Sequence, residues 1–392
     1  MVLKSSHNFR ILKWFNFVQG FTPFGAIAVL YFVHITGSYA LAMTLFTVAS
    51  LTTTFLEIPT GVISDRIGRK KTIIAGATIT LASLIFYALA GSFWILAIGA
   101  VLEGLAYSLY SGNNDALLYE SLEQEGEQHA FAGYQGKISS LSSISNGIAA
   151  LASGFIVSIA FVYLPLISAV FAALALAIVV FVREPRVHTN KIETNIYSHV
   201  WDSLKQFKNN IQLRNLSIAS TLDWGLGGSA SMFRPAFVAT LWPVWAVGIA
   251  RVLGNVTYAL SSWFSDKILG KTGNERWLLF GSLVKSIIRL FSYGLPTVAS
   301  PALLAGENLI VASMHNAQDA LMQNEYSVTQ RATMASLNSL MGNLFFGICC
   351  IAMGYAADRI GAAPALFISE VLCLPILFLY YSVLKNRKRI AV

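Results

Sequence analysis

The sequence is poor in charged residues. Asp, Glu, Lys and Arg together make up 12% of the 392 residues, whereas hydrophobic residues make up 55%. A soluble domain carries about 25% charged residues, so this chain has too few charges to cover a surface that faces water. Its mean hydropathy is +0.62. The composition therefore indicates a protein whose surface faces mainly the lipid bilayer.

The residues that carry most enzyme chemistry are also scarce. The chain has three cysteines, Cys349, Cys350 and Cys373, and all of them lie within apolar runs. Their spacing fits neither a metal site nor a disulfide framework, and His34 and His315 are isolated along the chain. The sequence contains no recognisable nucleophile–base pair and no phosphate-binding loop. We therefore expect no enzymatic activity, no metal and no cofactor.

The net charge of +8 raises the question of nucleic-acid binding. The basic residues are grouped in short segments between apolar runs and do not follow one face of a folded domain. This distribution is what the positive-inside rule produces in membrane proteins. We therefore expect no nucleic-acid partner and interpret the basic charge as a topology signal.

Twelve apolar runs are long enough to cross a bilayer, which takes roughly 20 residues. The runs lie at about 11–35, 39–63, 72–91, 93–118, 135–158, 162–182, 213–238, 243–264, 276–294, 299–322, 332–357 and 363–384. The first run follows a basic N-terminus and is longer than the core of a signal peptide. We interpret it as an uncleaved first helix.

The positions of Lys and Arg predict the orientation. With both termini in the cytoplasm, 22 of the 27 Lys and Arg residues lie in inner segments, four lie within spans, and Arg359 lies outside. The opposite orientation would violate the positive-inside rule. We therefore expect a multi-pass protein of the inner (plasma) membrane with cytoplasmic termini, and we expect it to act as a monomer.

The longest polar segment divides the chain near its midpoint. Residues 183–212 separate six spans from six and include an amphipathic stretch, 196–207, which we interpret as a surface helix. The expected domains are a six-helix bundle at 1–182, a cytoplasmic linker at 183–212 and a second six-helix bundle at 213–392.

The two halves resemble each other at two sets of positions. The matching residues are Glu103 and Asp115 with Glu307 and Asp319, at an offset of 204 (307 − 103), and Ser64-Asp65-Arg66 with Ser265-Asp266-Lys267, at an offset of 201 (265 − 64). Nearly equal offsets on corresponding spans indicate an internal duplication. The predicted fold is an all-α membrane protein of two pseudo-symmetric bundles, with the substrate site near the midplane.

One motif carries a family resemblance. Between spans two and three the sequence reads Gly61-Val-Ile-Ser-Asp65-Arg66-Ile-Gly68-Arg69-Lys70-Lys71. It resembles the signature G-x-x-x-D-R/K-x-G-R/K-R/K of the major facilitator superfamily, and every defining position matches. A weaker copy, Asp266-Lys267-Ile-Leu-Gly270-Lys271, follows span eight. The resemblance implies the fold of that superfamily and a role for Asp65 in locking the outward-facing state against the eleventh helix.

The chemistry of the motif agrees with a gate. Gly61 lets two helices approach closely, Gly68 permits a tight turn, and Asp65 can accept from arginine or cap a helix. The expected gating residues are Gly61, Asp65, Arg66, Gly68, Arg69, Lys70, Asp266 and Lys267. The alternative is that the basic residues only keep this loop inside.

A second resemblance lies at the inner end of span four. Asn113, Asp115, Tyr119 and Glu120 belong to a stretch that is similar to one found in bacterial efflux members of the superfamily. Solvated residues at a helix end are the alternative. Span five lacks the Gly-Pro pair that antiporters of the superfamily usually carry, so the resemblance supports the fold more than it supports drug/proton antiport.

Nine ionisable residues lie within the predicted spans. They are Glu57, Glu103, Asp223, Arg234, Arg251, Lys285, Arg289, Glu307 and Glu370. Each costs roughly 2.5–3.5 kcal/mol at the centre of a membrane helix. Most of them must therefore face a cavity, a partner or an interface.

Depth along the helices predicts which charges meet. At 1.5 Å per residue, Asp223 and Arg251 reach similar depths near the midplane. Arg289 and Glu307 also lie at the same depth in the membrane, and we expect them to form a structural ion pair. Lys285 lies near the midplane without an obvious partner.

The remaining embedded charges have separate interpretations. Arg234 precedes Pro235 near the outer end of span seven and is expected either to extend to the outer face or to contact substrate. Glu57 is expected to support the Asp65 cluster, and Glu370 is assigned no role.

Glu103 is the expected coupling carboxyl. No Lys or Arg is embedded in the first six spans, so Glu103 is either protonated or faces a cation across the cavity, such as Arg251. Burial disfavours the charged form of a carboxyl, which can then exchange protons as a cavity opens and closes. The alternative is a protonated glutamate hydrogen-bonded within the bundle.

The leading hypothesis is therefore proton-coupled transport, by export, of a small organic solute, with protons as the second partner. The competing hypothesis is uptake or exchange of an organic anion, because the second half has four embedded basic residues against three acidic ones. A membrane receptor without transport activity is the third.

Overall fold

The computed structural model describes residues 7–185, 207, 210–326 and 331–390, and within these residues it is helical and contains no strand. The helices of the first half are α1 (His7–Gly20), α2 (Pro23–Ala26), α3 (Ala28–Thr36), α4 (Tyr39–Ile67), α5 (Arg69–Ala88), α6 (Phe93–Tyr110), α7 (Asn113–Gln124), α8 (Phe131–Ile159) and α9 (Tyr163–Val179). The helices of the second half are α10 (Ile211–Leu222), α11 (Gly228–Leu241), α12 (Val244–Trp263), α13 (Ser265–Thr272), α14 (Asn274–Gly294), α15 (Ser300–Gly306), α16 (Asn308–Glu325), α17 (Arg331–Ile360), α18 (Ala362–Cys373) and α19 (Pro375–Ile390).

The twelve predicted spans correspond to twelve helical stretches of the described chain. Some spans are one helix, such as α4, and others are broken, such as α6 and α7, which are separated by Gly112 with a φ of 70°. By length and composition, seven helical segments among the described residues are long and apolar enough to cross a membrane. The expected all-α membrane fold is confirmed.

Contacts divide the chain into two units. Unit 1 consists of Met1–Gly37, Leu45–Lys191 and Val244–Ile249. In its interior, α1 packs against α8 and α9, and α5 packs against α6 and α9. The core of this unit includes Leu12, Phe15, Ile73, Leu117, Leu118, Leu122, Tyr134 and Val179.

Unit 2 consists of Ser38–Thr44, Ile192–Pro243 and Ala250–Val392. Here α10 packs against α17 and α19, and α14 packs against α16 and α18. Its core includes Leu213, Leu216, Leu278, Met314, Leu321, Met334, Cys373 and Tyr380. All three cysteines are buried, and none of them forms a disulfide bond.

The units depart from the predicted domains at two short segments. The start of α4 belongs to unit 2, and the start of α12 belongs to unit 1. The start of α12 belongs to unit 1 because its backbone lies close to that of α8. A Cβ on Gly154 of α8 would lie 2.0 Å from the carbonyl oxygen of Trp245. The predicted amphipathic linker helix lies outside the described residues, except for Phe207.

Side-chain contacts repeat between the halves. In unit 1, Thr53 donates to the carbonyl of Gly104 at 3.0 Å; in unit 2, Thr257 donates to the carbonyl of Ala305 at 2.6 Å. A second pair of contacts matches as well, since Ser64 bonds Asn113 and Ser265 bonds Asn316. Spans two and four are therefore held together by the same kinds of polar contact as spans eight and ten.

Candidate functional site: embedded ion pairs and the signature motif

Asp223 lies at the start of a π-helical turn in unit 2. The turn spans Asp223–Gly227 and interrupts the helix between α10 and α11. Such turns insert one residue into a helix and often occur at functional sites. Two of its residues are glycines, and a Cβ on Gly225 would lie 2.1 Å from the ring of Phe345. The turn therefore depends on glycine at this position.

Asp223 forms an ion pair with Lys285. The Nζ of Lys285 lies 2.5 Å from Oδ1 of Asp223, and both side chains are largely buried. The Nε2 of His315, whose side chain is 44% exposed, lies 3.8 Å from the other carboxylate oxygen. Lys285, for which the sequence indicated no obvious partner, therefore has one in Asp223, because the packing of the helices and the π-turn bring its ammonium group there.

Four charged side chains form a second buried network in unit 2. Arg289 bonds both oxygens of Glu307 at 3.0–3.1 Å, and Arg234 bonds Oε1 of Glu307 at 2.7 Å. The Nη1 of Arg289 also lies 3.5 Å from Glu370, which accepts a hydrogen bond from Ser286. Glu307 has 0% exposure.

This network contains the expected Arg289–Glu307 pair and differs from what was expected of Arg234 and Glu370. The expected Arg289–Glu307 pair is present. Arg234 does not extend to the outer face but turns toward Glu307. Glu370, which had no assigned role, neutralises part of the charge of Arg289. Two arginines and two glutamates balance, so the network carries no net charge when all four side chains are ionised.

Glu103 has a different environment in unit 1. Its Oε2 accepts a 2.6 Å hydrogen bond from the hydroxyl of Tyr87, and the hydroxyl of Tyr31 bonds the backbone carbonyl of Tyr87. Among the described residues, no Lys or Arg forms an ion pair with Glu103. Of its predicted interpretations, a glutamate hydrogen-bonded within the bundle agrees with this geometry, and a cation across the cavity stays a prediction.

Arg69 is the centre of the signature motif. Its guanidinium contacts Asp65 at 2.8 Å and Glu120 at 3.3 Å, and it donates to the side chains of Ser64 and Asn113. The motif and the inner end of span four are therefore one polar cluster. Arg66 is exposed at the end of α4.

Glu184 completes the loop of the motif. Its two carboxylate oxygens accept hydrogen bonds from the backbone amides of Arg69 and Lys70, at 2.7 and 2.8 Å. It thereby caps α5, whose first amides have no partner within the helix. Gly68 has φ 99° and ψ 153°, and a Cβ there would lie 2.8 Å from Glu184. The expected tight turn at Gly68 is present.

Other expectations for the motif fail or change. A Cβ on Gly61 would meet no atom of the described residues within 4 Å, so Gly61 makes no close contact with a helix in the described part of the chain. Among the described residues, Glu57 accepts a hydrogen bond from Ser111 and makes none with the Asp65 cluster. In the weaker copy, Asp266 and Lys267 are exposed at the start of α13.

Span four contributes to a polar crevice in unit 1. A cavity of about 290 Å³ is lined by Leu12, Asn16, Asn114, Asp115, Gln135, Ile138, Ser139, Ser142 and Ser143. Gln135 donates to Asp115 at 2.7 Å, and the buried Oδ1 of Asn114 has no hydrogen-bond partner among the residues that the structure describes. Tyr119 is not among the residues that line the cavity, and its ring packs edge-on against Phe131. Asp115 is the one charged residue among those that line the crevice.

Sequence reasoning missed a further copy of the signature. The end of α17 reads Gly354-Tyr-Ala-Ala-Asp358-Arg359-Ile-Gly361, which repeats the first eight positions of the motif at Gly61. Gly361 has φ 88° and ψ 168°, close to the conformation of Gly68. A direct comparison of the two segments would have found it.

No group of three or more His, Cys, Asp or Glu side chains capable of holding a metal occurs within the described part of the chain. The embedded ion pairs, the apolar helices and the repeated polar contacts define a multi-pass membrane protein built from duplicated helical units.

Comparison with known proteins gives the family. The profile of the Major Facilitator Superfamily matches residues 11–349. The chain therefore belongs to this superfamily, and the predicted resemblance is confirmed. A search of curated proteins finds no match.

Solved structures with this fold include several transporters. A mutant of the nucleoside transporter NupG is similar with a TM-score of 0.83 and 16% identity, covering 96% of this chain and 100% of that one. A bacterial homologue of the human lysosomal transporter Spinster has a TM-score of 0.76 and 14% identity, covering 96% of each chain. A POT family transporter in complex with 5-aminolevulinic acid has a TM-score of 0.73 and 14% identity, covering 97% of each chain. At these identities the similarity shows the fold, and with the family it supports solute transport.

Proposed function

We propose that the chain is a secondary transporter that exports a small organic solute in exchange for protons, with Glu103 as the coupling carboxyl. The observation that carries the proposal is the contrast between Glu103 and the acidic residues embedded in unit 2. Asp223, Glu307 and Glu370 each lie against a basic side chain. Glu103 has a tyrosine hydroxyl as its partner.

This contrast matters for proton exchange. A carboxylate beside a buried cation stays ionised, because protonating it would leave the cation without compensation. A carboxyl bonded to a neutral hydroxyl carries no such penalty and can change protonation as water enters and leaves. Glu57 also has a neutral hydroxyl partner, Ser111, but Glu57 is exposed whereas Glu103 is half-buried. Glu103 is therefore the embedded carboxyl best suited to bind and release a proton.

The polar crevice of unit 1 supports a neutral or cationic substrate. Its volume is close to the lower limit of about 300 Å³ for small-molecule pockets, and Asp115 is its one charged lining residue. The competing hypothesis, transport of an organic anion, rested on an excess of embedded cations. Arg234, Lys285 and Arg289 all face carboxylates, which weakens that hypothesis.

The test is solute flux into proteoliposomes with an imposed pH gradient. The panel should contain neutral, cationic and anionic solutes, with nucleosides included because of the similarity to a nucleoside transporter. For proton-coupled export, solute accumulates in vesicles whose lumen is more acidic than the bath, since outward proton flow drives solute inward by exchange. Accumulation from an acidic bath would indicate uptake by symport, and flux that ignores the gradient would overturn proton coupling.

Glu103→Gln tests the residue itself. It should abolish accumulation driven by the gradient while leaving solute counterflow intact, because binding and the conformational cycle remain. Glu57→Gln is the matched control in the same unit, since Glu57 bonds a serine near the inner end of its helix. Equal losses in both variants, or unchanged coupling in Glu103→Gln, would contradict the assignment.

A further inference from the structure

The polar crevice of unit 1 lies between α1, α7 and α8, all of which belong to that unit. Its one charged lining residue, Asp115, is exposed and forms no ion pair with any described residue. The Oδ1 of Asp115 accepts from Gln135, and its Oδ2 accepts no hydrogen bond within the described part of the chain. The charge of this carboxylate is therefore left for water or a ligand to balance.

The basic residues of the lining helices are directed to other contacts. Lys137 of α8 lies 5.7 Å from the centre of a tyrosine ring, and Lys13 of α1 lies 5.2 Å from the centre of a tryptophan ring. Neither lysine lines the crevice, and Arg10 of α1 does not line it either. Among the described residues, no side chain supplies a cation to Asp115 inside the crevice.

The amide side chains of the crevice use their N–H groups on the protein and leave their oxygens unbonded. Asn16 donates to the backbone carbonyl of Leu12 at 2.8 Å. Gln135 donates to Asp115 at 2.7 Å. The Oδ1 of Asn114 is buried and has no partner in the described part of the chain. An acceptor buried without a donor costs free energy, so the crevice has a surplus of acceptors.

A primary ammonium group has the chemistry that this surplus lacks. It carries one positive charge and three N–H donors, and it has no acceptor. Its hydrogen bonds to a carboxylate are stronger than those between neutral groups. The lining hydroxyls of Ser139 and Ser142 can donate to, or accept from, hydroxyl groups on the rest of a ligand. An anion would meet no basic lining residue, and a quaternary ammonium ion would bring a charge without an N–H donor.

We propose that the crevice binds a compact hydrophilic solute through its primary ammonium group, with Asp115 as the counter-ion and the amide oxygens of Asn16 and Asn114 as acceptors. The cavity of about 290 Å³ has room for a solute of the size of a monosaccharide.

The crevice is separate from the coupling carboxyl. Asp115 lies twelve residues beyond Glu103 on span four (115 − 103), roughly 18 Å at the rise of a helix. It lies toward the end of the span that the charge distribution assigns to the cytoplasm, where an exported solute enters. The proposal rests on the proposed function only for the statement that the bound solute is then exported.

Cysteine labelling tests the site without a transport assay. Ser139→Cys is made in the full chain with the three native cysteines replaced by alanine. It is treated with methanethiosulfonate reagents whose head groups are ethylammonium, ethyltrimethylammonium and ethylsulfonate. The ethylammonium reagent should react faster than the sulfonate reagent, and Asp115→Asn should lower this rate ratio about tenfold, because the carboxylate concentrates cations beside the thiol. The trimethylammonium reagent should show a smaller preference than the ethylammonium reagent, because it has no N–H donor.

Gly133→Cys is the matched control on the same helix. Gly133 does not line the crevice, and a Cβ there would meet no described atom within 4 Å. Rates at this cysteine correct for the intrinsic reactivity of each reagent and should not respond to Asp115→Asn. Asp115→Glu keeps the charge and should keep the rate ratio at Ser139→Cys, which separates loss of charge from disturbance of the fold. An unchanged ratio in Asp115→Asn, or an equal change at Gly133→Cys, would overturn the proposal.

Protection by unreactive solutes tests the class of ligand. At mildly acidic pH, glucosamine and serinol should slow the labelling of Ser139→Cys, whereas glucose and glycerol, which have a hydroxyl in place of the ammonium group, should not. Asp115→Asn should remove the protection. Equal protection by the amines and their neutral counterparts, or no protection by either amine, would overturn the proposal.

The outcomes separate this site from the transport proposal. Protection by amines in a protein that shows no proton-dependent flux would leave the site standing and reject the coupling. Loss of coupling in Glu103→Gln with unchanged protection would concern Glu103 alone.

Discussion

The hydroxyl of Tyr87 donates a 2.6 Å hydrogen bond to the carboxyl of Glu103, from α5 to α6 within unit 1. Tyr87 is 1% exposed, and its backbone carbonyl accepts from Tyr31. The burial of Tyr87 and the hydrogen bond from Tyr31 to its backbone hold this donor in place. Glu103 therefore has a defined orientation within its bundle.

Replacing Tyr87 by phenylalanine removes this donor and keeps the ring. We expect Tyr87→Phe to reduce gradient-driven solute accumulation about tenfold, comparable to the loss of a hydrogen bond to a charged group. The measurement is initial flux in proteoliposomes at fixed protein density. Tyr163→Phe, at an exposed position of the same unit, is the control and should keep wild-type flux. Wild-type coupling in Tyr87→Phe would show that Glu103 does not depend on this bond.

The Lys285–Asp223 pair predicts a compensating double variant. Asp223→Asn should destabilise the protein by about 3–5 kcal/mol, because it leaves a buried ammonium without its carboxylate. Lys285→Met should have a similar cost for the opposite reason. Combining the two should recover much of the loss, since both charges are then gone. Thermal unfolding in detergent measures all three, and strictly additive losses would argue against direct pairing.

The second network predicts an order of severity. Glu307 bonds two arginines, whereas Glu370 contacts one of them at 3.5 Å. Glu307→Gln should therefore lower the free energy of unfolding by about 3 kcal/mol or more, and Glu370→Gln should lower it by less. Denaturation of the purified variants measures this order. A larger loss in Glu370→Gln would show that Glu370, not Glu307, holds the arginines.

The loop of the signature motif predicts a third stability effect. Gly68→Ala forces a side chain into a backbone conformation that costs about 1–3 kcal/mol, and it places a methyl group against Glu184. Glu184→Gln should cost about 1 kcal/mol, because it weakens the cap of α5. Gly61→Ala is the control, because a Cβ there would meet no described atom within 4 Å. Equal melting temperatures for Gly68→Ala and Gly61→Ala would refute this account of the loop.

The sequence predicted those features of the structure that depend on residues close together in the chain or on position along one helix. The twelve apolar stretches, the tight turn at Gly68 and the Arg289–Glu307 pair were all readable from run length, residue type and depth along a helix. The partners of Lys285, Arg234 and Glu57 were not. The depth of a residue in the membrane follows from its position along the helix. Which side chains form pairs also depends on the rotation of each helix about its axis, and the packing of the neighbouring helices decides that rotation.

The sequence by itself determined that this protein crosses a membrane, that its halves repeat and that it belongs to the Major Facilitator Superfamily. These properties follow from hydrophobic length and from a motif contiguous in the chain. The tertiary structure decided which embedded charges are neutralised and that Asp358 caps a helix 318 residues away. Such contacts join side chains distant in sequence, and their energy depends on angles and separations that no local pattern specifies.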